Sequence, residues 1–317
     1  MNVLYILQKQ KMIKFDRVVS QVADDIRTIT IQWATNIARE ACKVMEKQLR
    51  SKKFSDRKEL KDFFDSSTKL LIEARETEPM LRNGMKYAGY KLEHWADAIQ
   101  IADAFAEYLT WINEEEAIRA KIWVDLIDDW DNIVTHCHSG SVTKILKTAR
   151  NEWKKIHVYN TETRPLYQWR KTSTKLVEAG VPNTMVTDSS APFFVDNIYE
   201  KDIEINKVFL WADSIQSNGD TINKVWSYSI GLSAWHSGIP LYIVWSLLKL
   251  DILGEIWIET RDGKELRSDA PEGLKILNYA FDMIPAKCIT GIITEFWIIR
   301  PENLLKEVKK RYPWMLE

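Results

Sequence analysis

A thiol and a carboxylate stand about 75 residues apart in two stretches of similar design. The first is Thr135-His136-Cys137-His138-Ser139-Gly140-Ser141; the second is Ala212-Asp213-Ser214, followed by Asn223-Lys224. Each comes after an apolar run that reads as a buried strand, and each leads toward a helix. Cys137 and Asp213 are therefore expected at the carboxyl ends of two strands, where an open α/β sheet presents its ligand cleft. Such a pair reads as a catalytic arrangement. Ser139, Gly140 and Ser141 would open a helix whose N-terminal N–H groups favour an anion and lower the thiol's pKa. The bland alternatives are a buried strand-end cysteine and a carboxylate that only caps a helix. His136 and His138 alternate with Cys137 and should face away from it; no further ligand cluster accompanies them, so no metal is expected.

Cations and amides gather near the same strand ends. Asn218-Gly219 supplies a turn, and Asn223-Lys224 reads as the start of a helix, so an acid, an amide and an ammonium converge there. Lys249, past the apolar run 241–244, would stand on the same rim. Arg164, in Thr161-Glu162-Thr163-Arg164-Pro165, can fork onto a phosphate or onto a loop carboxylate. Together these favour a phosphorylated ligand.

The elements that must hold these residues fall into two patterns. Apolar positions recur at helical spacing over 15–26, 37–49, 60–74, 92–111 and 114–127, with only a short β-branched run at 28–31. From Asn132 short apolar strands (132–136, 156–159, 184–187, 208–210, 241–244) alternate with helices (142–153, 172–179, 195–201, 221–237). Gly180-Val181-Pro182 and Gly238-Ile239-Pro240 punctuate helix stops before strands. The expected fold is α/β: a helical N-terminal domain over 1–125, then a Rossmann-like parallel-sheet domain over 126–317.

Composition narrows the function. A net charge of −1 gives no general attraction to nucleic acid or anionic lipid, and no apolar run is long enough for a membrane span. The start, 1–11, lacks a small-residue cleavage site and makes a poor signal peptide. Cys42, Cys137 and Cys288 show no framework spacing, so reduced thiols in a cytoplasmic protein are expected, with Cys42 and Cys288 in the core. No Gly-x-Gly-x-x-Gly follows a strand, so no nicotinamide or other cofactor is expected.

The motifs in order are Thr-His-Cys-His-Ser, Glu-Thr-Arg-Pro-x-x-Gln-x-Arg, Gly180-Val181-Pro182 with Asp188-Ser189, Ala-Asp-Ser-Ile, Asn-Gly-x-x-Asn-Lys, Asn278-x-Ala-Phe-Asp282-x-x-Pro285 and Ile293-Thr294-Glu295. From about Phe15 onward the chain resembles one family. It unites the alpha, beta and delta subunits of translation initiation factor 2B with ribose-1,5-bisphosphate isomerase and methylthioribose-1-phosphate isomerase. In the isomerases the Cys and Asp of these motifs are the proton-transfer pair, whereas the regulatory alpha subunit typically lacks both. The resemblance thus implies that Cys137 and Asp213 are catalytic. It places substrate contacts at Gln32-Trp33-Ala34, Arg75, Gln168, Asn223, Lys224 and Lys249. Lacking the Arg-Gly-Ala-Pro loop of the methylthioribose enzyme, the chain is closer to the ribose-1,5-bisphosphate branch. The implied function is an aldose–ketose isomerase on a phosphorylated ribose, a homodimer or hexamer with no metal or cofactor. The alternative is a non-catalytic regulatory subunit that binds a sugar or nucleotide phosphate. Gln32 stands where the family usually has Arg, and Glu76 follows Arg75 where Pro is usual; both weaken a bisphosphate site.

Tryptophan (14) outnumbers glycine (11), although glycine normally makes up about 7% of a chain. The family has glycine where this chain has Trp33, Trp130, Trp153, Trp169, Trp211, Trp226 and Trp297. Returning these seven to glycine would bring the share near the ordinary value. The pattern implies a source that reads UGA as glycine and a translation that reads it as tryptophan.

Overall fold

The computed structural model describes residues 16–197, 203–252 and 258–317. Residues 1–15, including the stretch read as a poor signal peptide, lie outside them, as does most of the helix expected over 195–201. The chain divides into two compact units, Met1–Ile112 and Asn113–Glu317.

The first unit is helical: α1 (Arg17–Arg27), α2 (Ala34–Ser51), α3 (Arg57–Ala74), α4 (Pro79–Glu93) and the start of α5 (Ala98–Ile122). Asp16 caps α1 by accepting from the Val18 and Val19 N–H groups, and Asp56 caps α3 through the Glu59 N–H. Residues one and two turns apart, such as Ile37, Ala41, Met45 and Leu49, supply the buried stripe of α2. Three expectations need correction. The β-branched run 28–31 is a turn, with the Thr28 N–H and hydroxyl both closing on the Asp24 carbonyl and Ile29 at φ 61°. The segments 92–111 and 114–127 are not two helices; α5 runs through Ile112-Asn113, where no Gly or Pro breaks it. Helix α4 is an unforeseen element because it buries residues all round, with Gly84 letting Cys42 and Tyr108 approach.

The second unit alternates as expected: β1 (Asn132–Thr135), α6 (Gly140–Asn151), β2 (His157–Thr161), α7 (Trp169–Glu178), β3 (Asn183–Val186), α8 (Ala191–Val195) and β4 (Lys207–Trp211). A hairpin of β5 (Ser214–Gln216) and β6 (Thr221–Lys224) precedes α9 (Ser227–His236) and β7 (Leu241–Val244). Short strands follow: β8 (Leu250–Asp251), β9 (Thr260–Arg261), β10 (Asn278–Tyr279), β11 (Phe281–Ile284), β12 (Gly291–Ile293) and β13 (Ile298–Ile299), then α10 (Leu304–Arg311). The helix expected over 221–237 is thus half wrong. The Asn218-Gly219 turn, with Gly219 at φ 88°, folds 221–224 back as a strand between β5 and β11.

The main sheet has the order β13-β12-β7-β4-β1-β2-β3, parallel except for the edge strand β13. Strands β1, β2 and β3 add in one direction and β4, β7 and β12 in the other, so the order reverses between β1 and β4. Ile133, Val158, Phe209 and Val244 from four of these strands join Val142, Ile145 and Leu146 of α6 in one buried cluster. Each such side chain contributes roughly 1.5–3 kcal/mol by leaving water.

Among the described residues, ten non-glycine positions have φ in the left-handed region, and five of them are tryptophans: Trp33 (74°), Trp95 (66°), Trp130 (71°), Trp153 (68°) and Trp226 (88°). Trp169, expected in a loop, is the first residue of α7.

Candidate active site

Ligand sites in open parallel sheets lie outside the carboxyl ends of strands where the order reverses. Here those ends belong to β1 and β4, and they carry Cys137 and Asp213. Cys137, two residues past β1, is buried and sits at φ 61°, a region costly for a side chain with Cβ. Three contacts hold it. Its N–H donates to Thr163 Oγ1 (3.1 Å), the Thr172 hydroxyl donates to its carbonyl (3.3 Å), and its Sγ–H donates to Gln168 Oε1 (3.1 Å).

The thiol's pKa is raised overall, contrary to expectation, although the His138 N–H does favour the thiolate. Burial pushes its pKa up to about 12, and Lys224 only partly offsets this. Ser139 caps α6, its hydroxyl accepting the Val142 N–H, and desolvation decides the thiol's pKa. Asp213, half-buried, lies near enough for its charge to raise the thiol further. Its N–H donates to the Ile222 carbonyl (3.0 Å), which ties the end of β4 to β6.

Lys224 ends β6 rather than opening a helix. It is buried, with Nζ 4.4 Å from the Phe281 ring centre. Asn223 is fully buried and donates to Ser227 Oγ (2.9 Å), at the first turn of α9. Lys249 closes a 3-10 turn after β7, its Nζ 5.8 Å from the Trp211 ring centre. Gln168 stands immediately before α7. A small cavity beside Gln168 and Lys224 is also lined by Arg164, Arg261, Glu265 and Asn278. The second unit therefore brings Cys137, Asp213, Gln168 and Lys224 together, with further cations at the cavity wall.

The remaining candidates belong to the first unit. Gln32 is exposed, Trp33 precedes α2 at φ 74°, and Ala34 is its buried first residue. Arg75 follows α3 and pairs through Nε with Glu78 (3.2 Å).

Sequence reasoning missed the groups that hold the thiol. The Asp188 carboxylate accepts the N–H groups of Thr163 and Arg164, both at 2.7 Å. His136 is buried, with Nε2 2.9 Å from the Val225 carbonyl and Nδ1 against the Thr161 hydroxyl. Burial pushes its pKa down to about 4, so it is neutral near pH 7 and the Nε2–H donates. The one available signal was Asp188-Ser189 among the ordered motifs.

Comparison with known proteins places this geometry. The chain is 31% identical over 311 residues to a protein of Methanocaldococcus jannaschii named ribose 1,5-bisphosphate isomerase, with 96% of this chain and 98% of that one covered. It is 29% identical over 317 residues to the methylthioribose-1-phosphate isomerase of Pelotomaculum thermopropionicum, covering 92% and 86%. The fold matches the crystal structure of translation initiation factor eIF-2B from Pyrococcus horikoshii OT3 with a TM-score of 0.77 at 23% identity, covering 90% of this chain and 98% of that one. The family model described as Initiation factor 2 subunit family matches residues 30–301, and the chain belongs to that family.

Proposed function

We propose that the chain converts ribose 1,5-bisphosphate to ribulose 1,5-bisphosphate. Its full-length likeness to sugar-phosphate isomerases makes it an enzyme of the intramolecular-oxidoreductase type. The observation that carries the finer reading is the placement of Cys137 and Asp213 on the two strand ends at the sheet reversal, with Lys224 beside the thiol. A ring blocked by a C1 phosphate must open as the C2 proton moves. With the thiol raised to about 12, the resting proton belongs on sulfur. The reactive form carries it on Asp213 instead, leaving a thiolate beside Lys224 to take the C2 proton while Asp213 protonates the ring oxygen as its bond to C1 breaks. The thiol then returns its proton to C1 and Asp213 takes one from the C2 hydroxyl, giving the ketose. Gln168, Asn223, Lys224 and Lys249 hold the substrate in the second unit; the family resemblance also assigns substrate contacts to Gln32, Trp33, Ala34 and Arg75 of the first unit. The working form is a cytoplasmic homodimer or hexamer. Among the described residues no helix is long and apolar enough to cross a membrane.

The native chain, on this reading, carries glycine at several of its tryptophan positions. Trp33, Trp130, Trp153 and Trp226 stand where the family has glycine, and each adopts the left-handed backbone that glycine takes freely. Trp95, at φ 66°, joins them. Left-handed backbone costs about 1–2 kcal/mol for a residue with Cβ, so five such sites rival the whole stability of a domain, about 5–15 kcal/mol. Trp153, Trp95 and Trp130 are 86%, 80% and 69% exposed, so little burial offsets that strain. Trp169 and Trp211 bury indole N–H groups without a hydrogen-bond partner among the described residues. Mass spectrometry of native peptides should find glycine at Trp33, Trp95, Trp130, Trp153 and Trp226; tryptophan there would sink the idea.

The reaction is tested in the glycine-bearing protein. Cys137→Ser and Asp213→Asn should each abolish isomerisation and still bind the bisphosphate. Near-normal turnover by a folded Cys137→Ser enzyme would remove the thiol from the mechanism. The exposed, uncharged Gln32 favours a second reading, a regulatory subunit that binds a sugar or nucleotide phosphate without turnover. If Gln32→Arg leaves the bisphosphate KM unchanged, the first-unit loop does not hold a phosphate.

A further inference from the structure

Cys137 could not keep its backbone conformation unaided. At φ 61° it needs outside contacts, and its N–H is taken by the hydroxyl of Thr163, itself at φ 56°. Thr163 is held in turn by a carboxylate from the next strand. Asp188 opens a 3-10 turn after β3, is 2% exposed, and spends one oxygen on the Thr163 N–H and the other on the Arg164 N–H, both at 2.7 Å. His136 Nδ1 lies 3.8 Å from the same Asp188 Oδ1, and its other nitrogen reaches the Val225 carbonyl beside Lys224. Three neighbouring strand ends, β1, β2 and β3, are thereby linked through one buried side chain.

We infer that Asp188, acting through Thr163, is the positioning residue that fixes the thiol of Cys137 and the Gln168 loop for the reaction. Both N–H groups it accepts belong to the loop 162–168, whose far end supplies the amide that meets the sulfur. An asparagine offers one acceptor oxygen where two N–H groups converge, so one of them must go unsatisfied and the loop must move. Asp188 touches neither substrate nor sulfur in this scheme; its charge also raises the thiol's pKa, so the geometric effect is read from Thr163, which carries no charge. The inference rests on the isomerase reading for its kinetic consequence, but not for its structural one.

The test uses three full-length variants: Asp188→Asn, Thr163→Val and Thr163→Ser. The first two should lower kcat on the order of 100-fold, the usual penalty for misplacing a reacting group. Their KM for the sugar phosphate should stay within about twofold, because neither residue is assigned to a phosphate. Thr163→Ser, which keeps the hydroxyl, should restore turnover. Alkylation of Cys137 by iodoacetamide, followed by peptide mass, should quicken in Thr163→Val, where no charge changes, and not in Thr163→Ser. Should the unsubstituted protein fail to turn over sugar phosphate, the isomerase reading falls while the alkylation contrast still tests the clasp. Unchanged alkylation and unchanged kcat in folded Thr163→Val protein would overturn the positioning role.

Discussion

The second unit buries ionisable groups around Cys137 and around Arg119, and the two clusters use that burial differently. Arg119 Nη1 lies between two carboxylates, 3.3 Å from Glu115 and 3.4 Å from Glu295. The Ser246 hydroxyl donates to Glu115, the Leu247 N–H to Glu295 (3.4 Å), and the Tyr312 hydroxyl approaches both carboxylates at 3.3 and 3.5 Å. Burial raises the pKa of both acids, and Glu115 raises Glu295 further. This cluster is directed inward, joining α5, the end of β12 and the segment after α10 in hydrogen bonds to itself. Around Cys137 the titratable groups instead meet at a sheet reversal beside a cavity with cations in its wall. A perturbed pKa therefore marks burial in both places, and only the surroundings separate a structural pair from a reactive one.

The widest separation should appear between Cys137→Ser and Arg119→Met. The first should cost up to about 10,000-fold in turnover and leave the protein folded by circular dichroism. The second should leave kcat/KM unchanged and lose about 3–5 kcal/mol in urea titration, because two buried carboxylates would then face each other without the guanidinium. If Arg119→Met also removed activity, the contrast between the clusters would collapse.

A smaller effect concerns pH. Glu295 has its folded pKa raised above the ordinary 4.5, first by burial and then by Glu115. Its folded state binds the proton more tightly than the unfolded chain does, so its contribution to stability is full below about pH 4.5 and is lost as pH rises toward the folded value. Glu295→Gln should flatten the decline in thermal midpoint as pH rises above about 4.5. An unchanged slope would mean that the proton is held elsewhere. Smallest of all, Asp282→Ala should cost about 1 kcal/mol in denaturant titration. That carboxylate accepts the Trp226 and Tyr228 N–H groups at the start of α9, at 2.6 and 3.0 Å, and should matter to stability more than to chemistry.

Legibility followed the range of the determining interaction. The strand at Leu241–Val244 was readable to the residue, because an apolar run follows Gly238-Ile239-Pro240 and Gly238 stops α9 at φ 70°. Cys137 and Asp213 were readable as strand-end residues for the same local reason. Residues 221–224 were misread because Thr-Ile-Asn-Lys fits a helix start as well as a strand, and pairing with β11, some 60 residues on, decided the matter. Asp188 could not be read as a support for Cys137, since the link needs three strands side by side. The thiol's raised pKa depends on neighbours that close over it in space. Trp95 escaped notice because its only mark is a backbone angle.

Trp33 is the first tryptophan in the chain. If its codon is UGA, a host using that triplet as a stop would release a peptide ending at Gln32. That fragment would end before α2 and carry none of the second unit. A host that stops at UGA would then make no product bearing Cys137 or Asp213. The gene's transfer between lineages would be limited by decoding at the start of α2, before folding or catalysis could be selected at all.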